Sequence, residues 1–467
     1  FAFMVSLKQA RAWQQKLAGG TPVELRASVR AGQHPGAYSI ATAVLPGADP
    51  ALSGQQIVLS CHLDHLRPGA NDNASGCATI LEVGRTLAKL VREGKIAPPR
   101  RTIRFVWPPE VEGSIALLNA HPEIAKSALA VVHMDMVGGD AEITKAVFHV
   151  TRTPKSLPTF VNDVGEAFGR FVNAQSDAYA STGAAAYPLV DPEGGKRALE
   201  AAVVDFTEGS DHEVWSEGSW RVPAIYLNDW PDRYIHTDAD RVGNIDPTKL
   251  LRAGFIGAAS AYYMAQLDAS GASALWEVVR GHALERTATA LSRAAELRAA
   301  GQPEAEAQGL LRFSFAYEKG VAESLSRFVS PQKVPDAVAT AESAFLAGLE
   351  RLVGAGAATP EPAASAAEER LVYRRRPEPK GPMAGFGYNY LDDKIAKLKI
   401  KRPALLARQG LWGGGALYAY EALNLVDGRR NVRQVRDALA AIYGPLPVAE
   451  VAEMLDVLAK AGVLEKS

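Results

Sequence analysis

Short apolar runs alternate with amphipathic stretches along residues 39–267. Apolar runs bounded by polar or glycine-rich segments predict buried strands over 58–61, 103–107, 129–134 and 224–227. Apolar positions at helical spacing predict helices over 74–90 and 157–171. Because strands and helices alternate, the pattern favours an α/β fold whose sheet is covered by helices on both faces.

The pattern changes on the N-terminal side of this segment. It predicts a helix over 6–17, with Ser6 as the N-cap, and a polar strand over 23–29. The first residue is Phe1 rather than Met, so we expect residues 1–35 to be the remnant of a preceding domain. The α/β domain itself is predicted over residues 36–270.

Three further segments follow the α/β domain. Residues 271–354 are rich in Ala, Leu and Glu at helical spacing, which predicts a helical region. Residues 355–382 are first Pro- and Ala-rich and then basic, which is typical of a linker. Residues 383–467 are predicted to contain short helices over 417–425, 432–443 and 448–461, and this arrangement suggests a winged-helix-like module.

Composition limits the classes of partner. The chain has 467 residues, of which 47% are hydrophobic and 22% charged, as in an ordinary globular protein, and its apolar runs are too short to cross a bilayer. We therefore expect no membrane partner. The formal net charge of -1 gives no overall attraction to nucleic acid. The basic runs 374–376 and 394–402 could form a patch that binds DNA, but the helix predicted over 432–443 carries only Arg433 and Arg436 as basic residues. We therefore favour a solvated linker beside a protein-contact module.

The two cysteines are too few for a disulfide framework. Cys61 is predicted to be a small buried residue on the strand that precedes His62, and Cys77 to pack one helical turn after a glycine-rich loop. A disulfide between the two is geometrically possible, but their spacing in the sequence does not show whether it forms.

Candidate chemistry begins where the first central strand ends. His62 and Asp64 lie two residues apart, so on a strand they share a face, and the carboxylate can accept one imidazole N–H and fix the tautomer. Asp72 follows in the glycine-rich loop 69–76. Its two carboxylate oxygens could each hold one ion, because paired ions lie roughly 3.5–4 Å apart.

Two more ligands are predicted further along the chain. Asp135 ends the apolar run 130–134, and His236 lies in the sequence YIHT. Mixed histidine and carboxylate ligation without thiolates is typical of a hydrolytic zinc site that keeps an open position. The predicted metal ligands are therefore His62, Asp72, Asp135 and His236, around one or two zinc ions.

Five ordered motifs carry a family resemblance: CHLD at 61–64, NDNASG at 71–76, MDMVG at 134–138, GSDH at 209–212 and YIHT at 234–237. They resemble the co-catalytic di-zinc aminopeptidases, relatives of leucyl aminopeptidases and glutamate carboxypeptidases. The resemblance implies a mixed, mostly parallel sheet between helices, a cis peptide bond from Asp72 to Asn73, and hydrolysis of a peptide substrate. It also implies that residues 1–35 end a protease-associated domain, and it favours a secreted or periplasmic location.

One motif departs from the family pattern. The family carries two adjacent glutamates, the first a general base and the second a zinc ligand, whereas this chain reads WPPEVEG over 107–113. Aligning the glycine places Glu110 at the base position and Val111, which cannot bind metal, at the ligand position. Glu110 could instead be the ligand, or Glu112 could reach the site. We expect Glu110 to be the base, with weaker binding of the second metal.

The remaining residues near the motifs are given supporting roles. Asn73 and Asp211 are expected to shape the site behind the ligands, and Tyr234 could reach the developing oxyanion. His65 and His133 are interpreted as structural. Two alternatives stay open: a mono-zinc relative with glutaminyl-cyclase-like acyl transfer, and a non-catalytic relative whose C-terminal module binds protein or nucleic acid.

Overall fold

The computed structural model describes residues 5–32, 34–37, 39–355, 367–385 and 389–467. The chain divides into two compact units, Phe1–Ala37 and Tyr38–Ser467. The first unit contains helix α1, Leu7–Ala18, and the Ser6 hydroxyl accepts a hydrogen bond from the backbone N–H of Gln9 as its N-cap. This agrees with the predicted helix. The predicted strand over 23–29 is wrong: these residues are almost entirely exposed and have no neighbouring strand to pair with in the described chain.

The second unit is built on a seven-stranded sheet. In chain order its strands are β1 Ala41–Leu45, β2 Gln56–Ser60, β3 Thr102–Trp107, β4 Ala128–Asp135, β5 Val147–Thr151, β6 Ala202–Val204 and β7 Ala224–Trp230. Their spatial order is β1-β3-β2-β4-β7-β5-β6. The four neighbouring pairs β2–β3, β2–β4, β4–β7 and β5–β6 are parallel, whereas β1–β3 and β5–β7 are antiparallel. The predicted mixed, mostly parallel sheet is confirmed.

Helices cover both faces of this sheet, because successive side chains of each strand point to opposite faces. Ile57 and Leu59 of β2 join the larger apolar cluster, and Val58 between them joins the cluster on the other face. The larger cluster is closed by α2 Gly76–Arg92, α6 Val161–Thr182 and α8 Pro247–Gln266. The smaller cluster is closed by α3 Glu112–Ala120, α4 Pro122–Ser127 and α7 His212–Ser216, and the short helix α5 Ala141–Thr144 follows β4.

Three long helices follow α8 and form the region that was predicted to be helical. They are α9 Ala272–Ala299, α10 Glu304–Glu323 and α11 Asp336–Val353. The first turns of α9 belong to the main core through Leu275, Trp276 and Val279, whereas its later turns pack on α10 in a separate cluster. The helical region is therefore continuous with the core of the sheet.

The C-terminal part has its own apolar cluster, formed by α12 Tyr390–Leu398, α13 Ala416–Leu425, α14 Val432–Tyr443 and α15 Val448–Lys460. Strand β8, Tyr373–Arg375, pairs in antiparallel fashion with the final strand β9, Leu464–Lys466. Among the described residues no single helix is long and apolar enough to cross a membrane, although α14 and α15 taken together reach that threshold by length and composition.

The predicted linker over 355–382 differs from the structure in its described part, 367–382. Arg375 of β8 is largely buried and donates to the carboxylate of Glu217, 2.5 Å away, and to the hydroxyl of Ser219. A buried carboxylate needs a cation partner, which explains why this basic segment is held against the sheet domain. The residues 356–366 of the predicted linker lie outside the described chain.

Candidate metal centre

The candidate ligands meet at one edge of the sheet because β2 and β4 are parallel neighbours whose carboxyl ends lie side by side. His62 follows β2, and Asp135 is the last residue of β4. Asp72 lies in an irregular turn, Ala70–Ser75, whose backbone is not helical at Asp72 and Asn73 and which leads directly into α2. The chain needs a glycine at the start of this turn, since a Cβ on Gly69 would lie within 3.0 Å of the carbonyl of Asp72.

The first ligand group consists of His62, Asp72 and Asp135, all of them buried. The Nε2 atom of His62 lies 3.2 Å from Oδ1 of Asp72 and 3.2 Å from Oδ1 of Asp135. Neither Nε2 of His62 nor Oδ1 of Asp135 has a hydrogen-bond partner in the described chain, although both atoms are buried. Unpaired buried polar atoms that converge in this way fit a bound cation.

The second candidate ligand group is arranged around Oδ2, the other carboxylate oxygen of Asp72. Oδ2 of Asp72 is 3.1 Å from Nε2 of His236 and 3.2 Å from Nε2 of His65. The sequence analysis expected His236 beside Asp72, with Asp72 placed between two ions, but it interpreted His65 as structural. The structure differs here, because β2 ends at Ser60 and the following residues turn back toward the loop, so strand alternation does not describe where His65 points.

A carboxylate that the sequence analysis missed holds the Asp72 turn in place. Asp240 is buried, and its two oxygens accept hydrogen bonds from the backbone N–H groups of Asn71 and Asp72, both at 2.9 Å. No motif pointed to Asp240, which follows the YIHT sequence by three residues. It fixes the backbone of Asp72 from a segment more than 160 positions away.

Asn73 ties the same turn to the end of β4. The peptide bond between Asp72 and Asn73 is cis, as the resemblance implied. The side-chain oxygen of Asn73 accepts hydrogen bonds from the backbone N–H groups of Gly76 and Met136, and its amide donates to the carbonyl of Met134. Asn73 therefore fixes the distance between the Asp72 turn and the strand end that carries Asp135.

The partners of His62 differ from the prediction. Its Nδ1 atom donates to the backbone carbonyl of Asp64 at 3.0 Å, whereas the Asp64 carboxylate lies 3.8 Å away. This bond leaves Nε2 free to act as a ligand. Burial alone would lower the pKa of His62, but the adjacent carboxylates of Asp135 and Asp72 raise it. The same two carboxylates would stabilise a cation at Nε2.

The carboxylate of Asp64 instead holds the turn that carries Glu110. Its Oδ1 accepts a hydrogen bond from the backbone N–H of Glu110 at 2.7 Å. Burial raises the pKa of Glu110 to about 9, His62 opposes the shift, and the carboxylate of Asp135 adds to it. Glu110 thus lies in the electrostatic field of the ligand group, where a carboxylate can exchange a proton with the reacting groups.

The two residues after Glu110 point away from the ligands. Val111 is 2% exposed and packs in the smaller apolar cluster, and its backbone N–H donates to Oδ1 of Asp211 at 2.8 Å. Glu112 begins α3 and is exposed. Asp211 is fully buried, and burial raises its pKa to about 6. Asp211 therefore fixes the backbone of the turn from behind.

Two other histidines near the site are held by the protein itself. His133, on β4, has its Nδ1 atom 2.9 Å from the hydroxyl of Ser60 and its Nε2 atom 2.8 Å from the hydroxyl of Ser210. His212 bonds through Nε2 to the carbonyl of Thr207 at 2.7 Å. These contacts occupy three of the four ring nitrogens of His133 and His212. Both side chains are therefore held by the protein behind the candidate ligands.

Tyr226, rather than Tyr234, lies beside the strand that carries the candidate ligand Asp135. The carbonyl of Tyr234 accepts hydrogen bonds from Thr237 and closes the turn around His236. Tyr226 lies on β7 beside β4, is buried, and stacks on His212 at 4.2 Å. Burial raises its pKa, and the nearby carboxylate of Asp135 adds to the shift. Its position inside an apolar run hid this residue from the sequence analysis.

Residues 41–261 match Peptidase family M28. This M28 segment contains the whole sheet and every candidate ligand. It supports the prediction of a zinc metallopeptidase, and the histidine and carboxylate ligand set fits zinc.

Curated relatives match over the same region. Leucine aminopeptidase 1 of Pyrenophora tritici-repentis (strain Pt-1C-BFP) is 25% identical over 258 residues, which cover 52% of this chain and 59% of the relative. Leucine aminopeptidase 1 of Uncinocarpus reesii (strain UAMH 1704) is 33% identical over 121 residues, which cover 22% of this chain and 29% of the relative. The chain thus spans less than two thirds of the length of these relatives.

Solved structures of similar fold include a zinc aminopeptidase, BSAP, from Bacillus subtilis, with 21% identity, coverage of 47% of this chain and 48% of that chain, and a TM-score of 0.34. An aminopeptidase from Aneurinibacillus sp. strain AM-1 has 25% identity, covers 48% of this chain and 47% of that chain, and has a TM-score of 0.34.

The two cysteines of the M28 segment form a disulfide, Cys61–Cys77. Both cysteines are buried in the larger apolar cluster, as predicted, and the bridge that the spacing left open is present. The bond joins the residue before His62 to the first turn of α2, just after the Asp72 turn. It thus fastens two ligand-bearing segments to each other.

The C-terminal module contacts the M28 segment directly behind the site. The hydroxyl of Tyr420 on α13 donates to the backbone carbonyl of Glu213 on α7 at 2.7 Å, and its ring stacks on Phe206 at 4.8 Å. Phe206 in turn contacts His212, the residue that stacks on Tyr226. A column of rings therefore connects α13 with the strand beside Asp135.

Proposed function

We propose that this chain is a zinc-dependent aminopeptidase that removes N-terminal residues from peptides. The observation that carries the proposal is the position of Asp72, whose two oxygens lie 3.2 Å from Nε2 of His62 and 3.1 Å from Nε2 of His236. Asp135 completes the first ligand group. The names of the curated relatives support an aminopeptidase within the peptidase family.

The proposed chemistry divides between the cofactor and the protein. Zinc, when bound, supplies Lewis-acid activation of water and polarises the scissile carbonyl. Glu110 accepts the proton of the attacking water and donates it to the leaving amine, a task that suits a carboxylate whose pKa burial has raised. Asp64 and Asp211 hold the backbone on either side of Glu110, so the carboxylate keeps its place during both transfers.

The test uses a panel of aminoacyl p-nitroanilides with the purified full chain. We expect release of p-nitroaniline that a zinc chelator abolishes and that added zinc restores. Matched N-acetylated substrates should be cleaved much more slowly, because an aminopeptidase needs the free amine. Absence of chelator-sensitive release across the panel would contradict the proposal.

A mono-zinc enzyme with glutaminyl-cyclase-like acyl transfer is the second candidate. It is favoured by Val111, which is apolar and buried at the position where the family resemblance expects a ligating glutamate. A peptide with N-terminal glutamine distinguishes the two functions. Ammonia release without cleavage of the peptide would identify the transferase, whereas release of free glutamine would identify the aminopeptidase.

A further inference from the structure

We propose that His65 is the third protein ligand of the second metal position, together with Asp72 and His236. It replaces the carboxylate that the turn after β3 does not provide. This inference rests on the proposed function, because it completes the same centre. It adds a residue that neither the ligand motifs nor the family resemblance assigned.

The distances agree with ligation by one small ion. Nε2 of His65 is 3.2 Å from Oδ2 of Asp72, and Nε2 of His236 is 3.1 Å from the same oxygen. Each pair among these three atoms lies within 4.8 Å. Tetrahedral zinc with bonds of about 2.0–2.1 Å separates neighbouring ligand atoms by about 3.3 Å, so one zinc ion can contact all three.

The shorter contact of His65 favours the tautomer that ligation needs. Its Nδ1 atom lies 2.6 Å from the backbone carbonyl of Arg67 and 3.3 Å from the backbone nitrogen of the same residue. The contact with the carbonyl needs a proton on Nδ1, which leaves the lone pair of Nε2 facing Oδ2 of Asp72. Histidine ligands of metals are held in this way by a carbonyl or carboxylate on the other nitrogen. Gly69 leaves room for the ring, because a Cβ there would approach Nδ1 of His65 to 3.1 Å.

Glu110, the carboxylate of the turn after β3, does not join Asp72 and His236 in a three-ligand group among the described residues. The side chain of Val111 is apolar and enclosed among Val106, Leu118 and Trp215 in the smaller cluster. Glu112, the next carboxylate, is exposed on the first turn of α3. Within the described chain, His65 is the residue that completes a three-ligand group with Asp72 and His236.

The two positions then differ in ligand chemistry. The first has one imidazole and two carboxylates, and the second has two imidazoles and only the shared carboxylate. Imidazole favours zinc, cobalt, nickel and copper, whereas magnesium and manganese prefer oxygen ligands. We therefore expect the second position to discriminate more strongly against magnesium and manganese than the first.

Zinc stoichiometry tests the role of His65 without reference to activity. The full chain, the His65→Ala variant and the His65→Glu variant are loaded with zinc, dialysed and analysed for zinc per chain by mass spectrometry. We expect two zinc atoms in the parent chain, one in His65→Ala, and two in His65→Glu, where a carboxylate is restored. His121→Ala, at an exposed histidine of the same M28 segment, is the matched control and should keep two.

A cobalt titration followed by visible absorption measures each position separately. The parent chain should show two binding steps, and His65→Ala should lose the step assigned to the imidazole-rich position. Circular dichroism identifies a variant that fails to fold, and in that case the restored second zinc of His65→Glu carries the test. Two zinc atoms of unchanged affinity in a folded His65→Ala, or a single atom in the parent chain, would overturn the inference.

The outcomes separate this inference from the proposed function. A parent chain that holds two zinc atoms, loses one in His65→Ala and shows no chelator-sensitive hydrolysis would support the ligand and contradict the aminopeptidase. If the parent chain hydrolyses aminoacyl substrates while folded His65→Ala keeps both zinc atoms, His65 is not a ligand and the aminopeptidase proposal still stands.

Discussion

Oδ1 of Asp64 accepts a hydrogen bond from the backbone N–H of Glu110 at 2.7 Å. The strands β2 and β3 are parallel neighbours that end at the same edge of the sheet, so this bond links the two turns that follow them. His62 is oriented by the backbone carbonyl of Asp64, which any residue at position 64 would provide. The side chain of Asp64 therefore serves to position Glu110 more than to orient the ligand.

Replacing Asp64 should consequently lower the rate and leave zinc in place. In Asp64→Ala the N–H of Glu110 loses its acceptor, and we expect kcat to fall about 10- to 100-fold, the usual cost of losing such a supporting contact. Asp64→Asn keeps an acceptor oxygen and should retain more of the rate. Steady-state kinetics and zinc analysis of both variants check this. Loss of zinc with kcat per bound zinc unchanged would assign Asp64 to the ligand instead.

Glu110 is expected to carry the proton transfers. Glu110→Gln keeps the size of the side chain and removes its basicity, so kcat should fall by about 10²–10⁴, the range for removal of a general base. Zinc content should not change. Glu112→Gln is the control, since it makes the same substitution two residues away on an exposed site. A Glu110→Gln variant that loses zinc and not rate would identify Glu110 as a ligand.

The sequence predicted the ligand-bearing elements well because their signals are local. Buried strands such as β2 and β4 are uninterrupted apolar runs, and His62 and Asp135 stand where these runs end. Parallel neighbours necessarily bring such ends together. The turn with Asp72 was predictable for a related reason, since its small residues permit a close approach of backbone atoms.

Residues whose roles depend on the path of a loop escaped the sequence analysis. The three side chains lie in loops beyond the ends of strands: Asp64, His65 and Asp240. In a loop, the alternation of side chains along a strand no longer predicts which way a side chain points. Tyr226 escaped because a phenol inside a buried strand looks like an ordinary core residue.

Arg375 was predicted to lie in a solvated linker, because the sequence around it gives no sign of its pairing with the buried Glu217.

The docking of the C-terminal module predicts a pH dependence of stability. Glu421 on α13 is fully buried and accepts hydrogen bonds from the backbone N–H groups of Lys155 and Ser156, at 2.6 and 3.2 Å. Burial raises its pKa from 4.5 to about 7. The folded state therefore binds the proton more tightly than the unfolded state, and this group's contribution to stability falls as pH rises from 4.5 to 7.

Glu421→Gln should remove this dependence. At pH 5 the variant and the parent chain should unfold at similar urea concentrations, because both carry a neutral side chain at position 421. At pH 8 the variant should be more stable than the parent by about 1–3 kcal/mol. Urea unfolding of the metal-free proteins measures the difference, and Glu465→Gln, on the surface of the same module, is the control. A stability difference that does not change with pH would contradict the prediction.

The phenol of Tyr226 is expected to tune the first metal position. Burial and the carboxylate of Asp135 raise the pKa of the phenol, and the ring is held by stacking on His212 at 4.2 Å. We expect the hydroxyl to donate to Asp135 and to orient that carboxylate. Tyr226→Phe removes only the hydroxyl, so the ring stays and Asp135 loses one constraint. We expect the affinity for zinc at this position to fall about 10-fold, as when other supporting contacts of metal ligands are removed.

Competition with a chelator of known zinc affinity measures this effect, and Tyr418→Phe is the matched control. Tyr418 is also buried, and its hydroxyl donates to the carbonyl of Tyr443 in the core of the C-terminal module. Both variants should lose some stability, because each leaves a buried group without its partner. Only Tyr226→Phe should release zinc more readily. Equal zinc affinity in the two variants would show that Asp135 is oriented without help from the phenol.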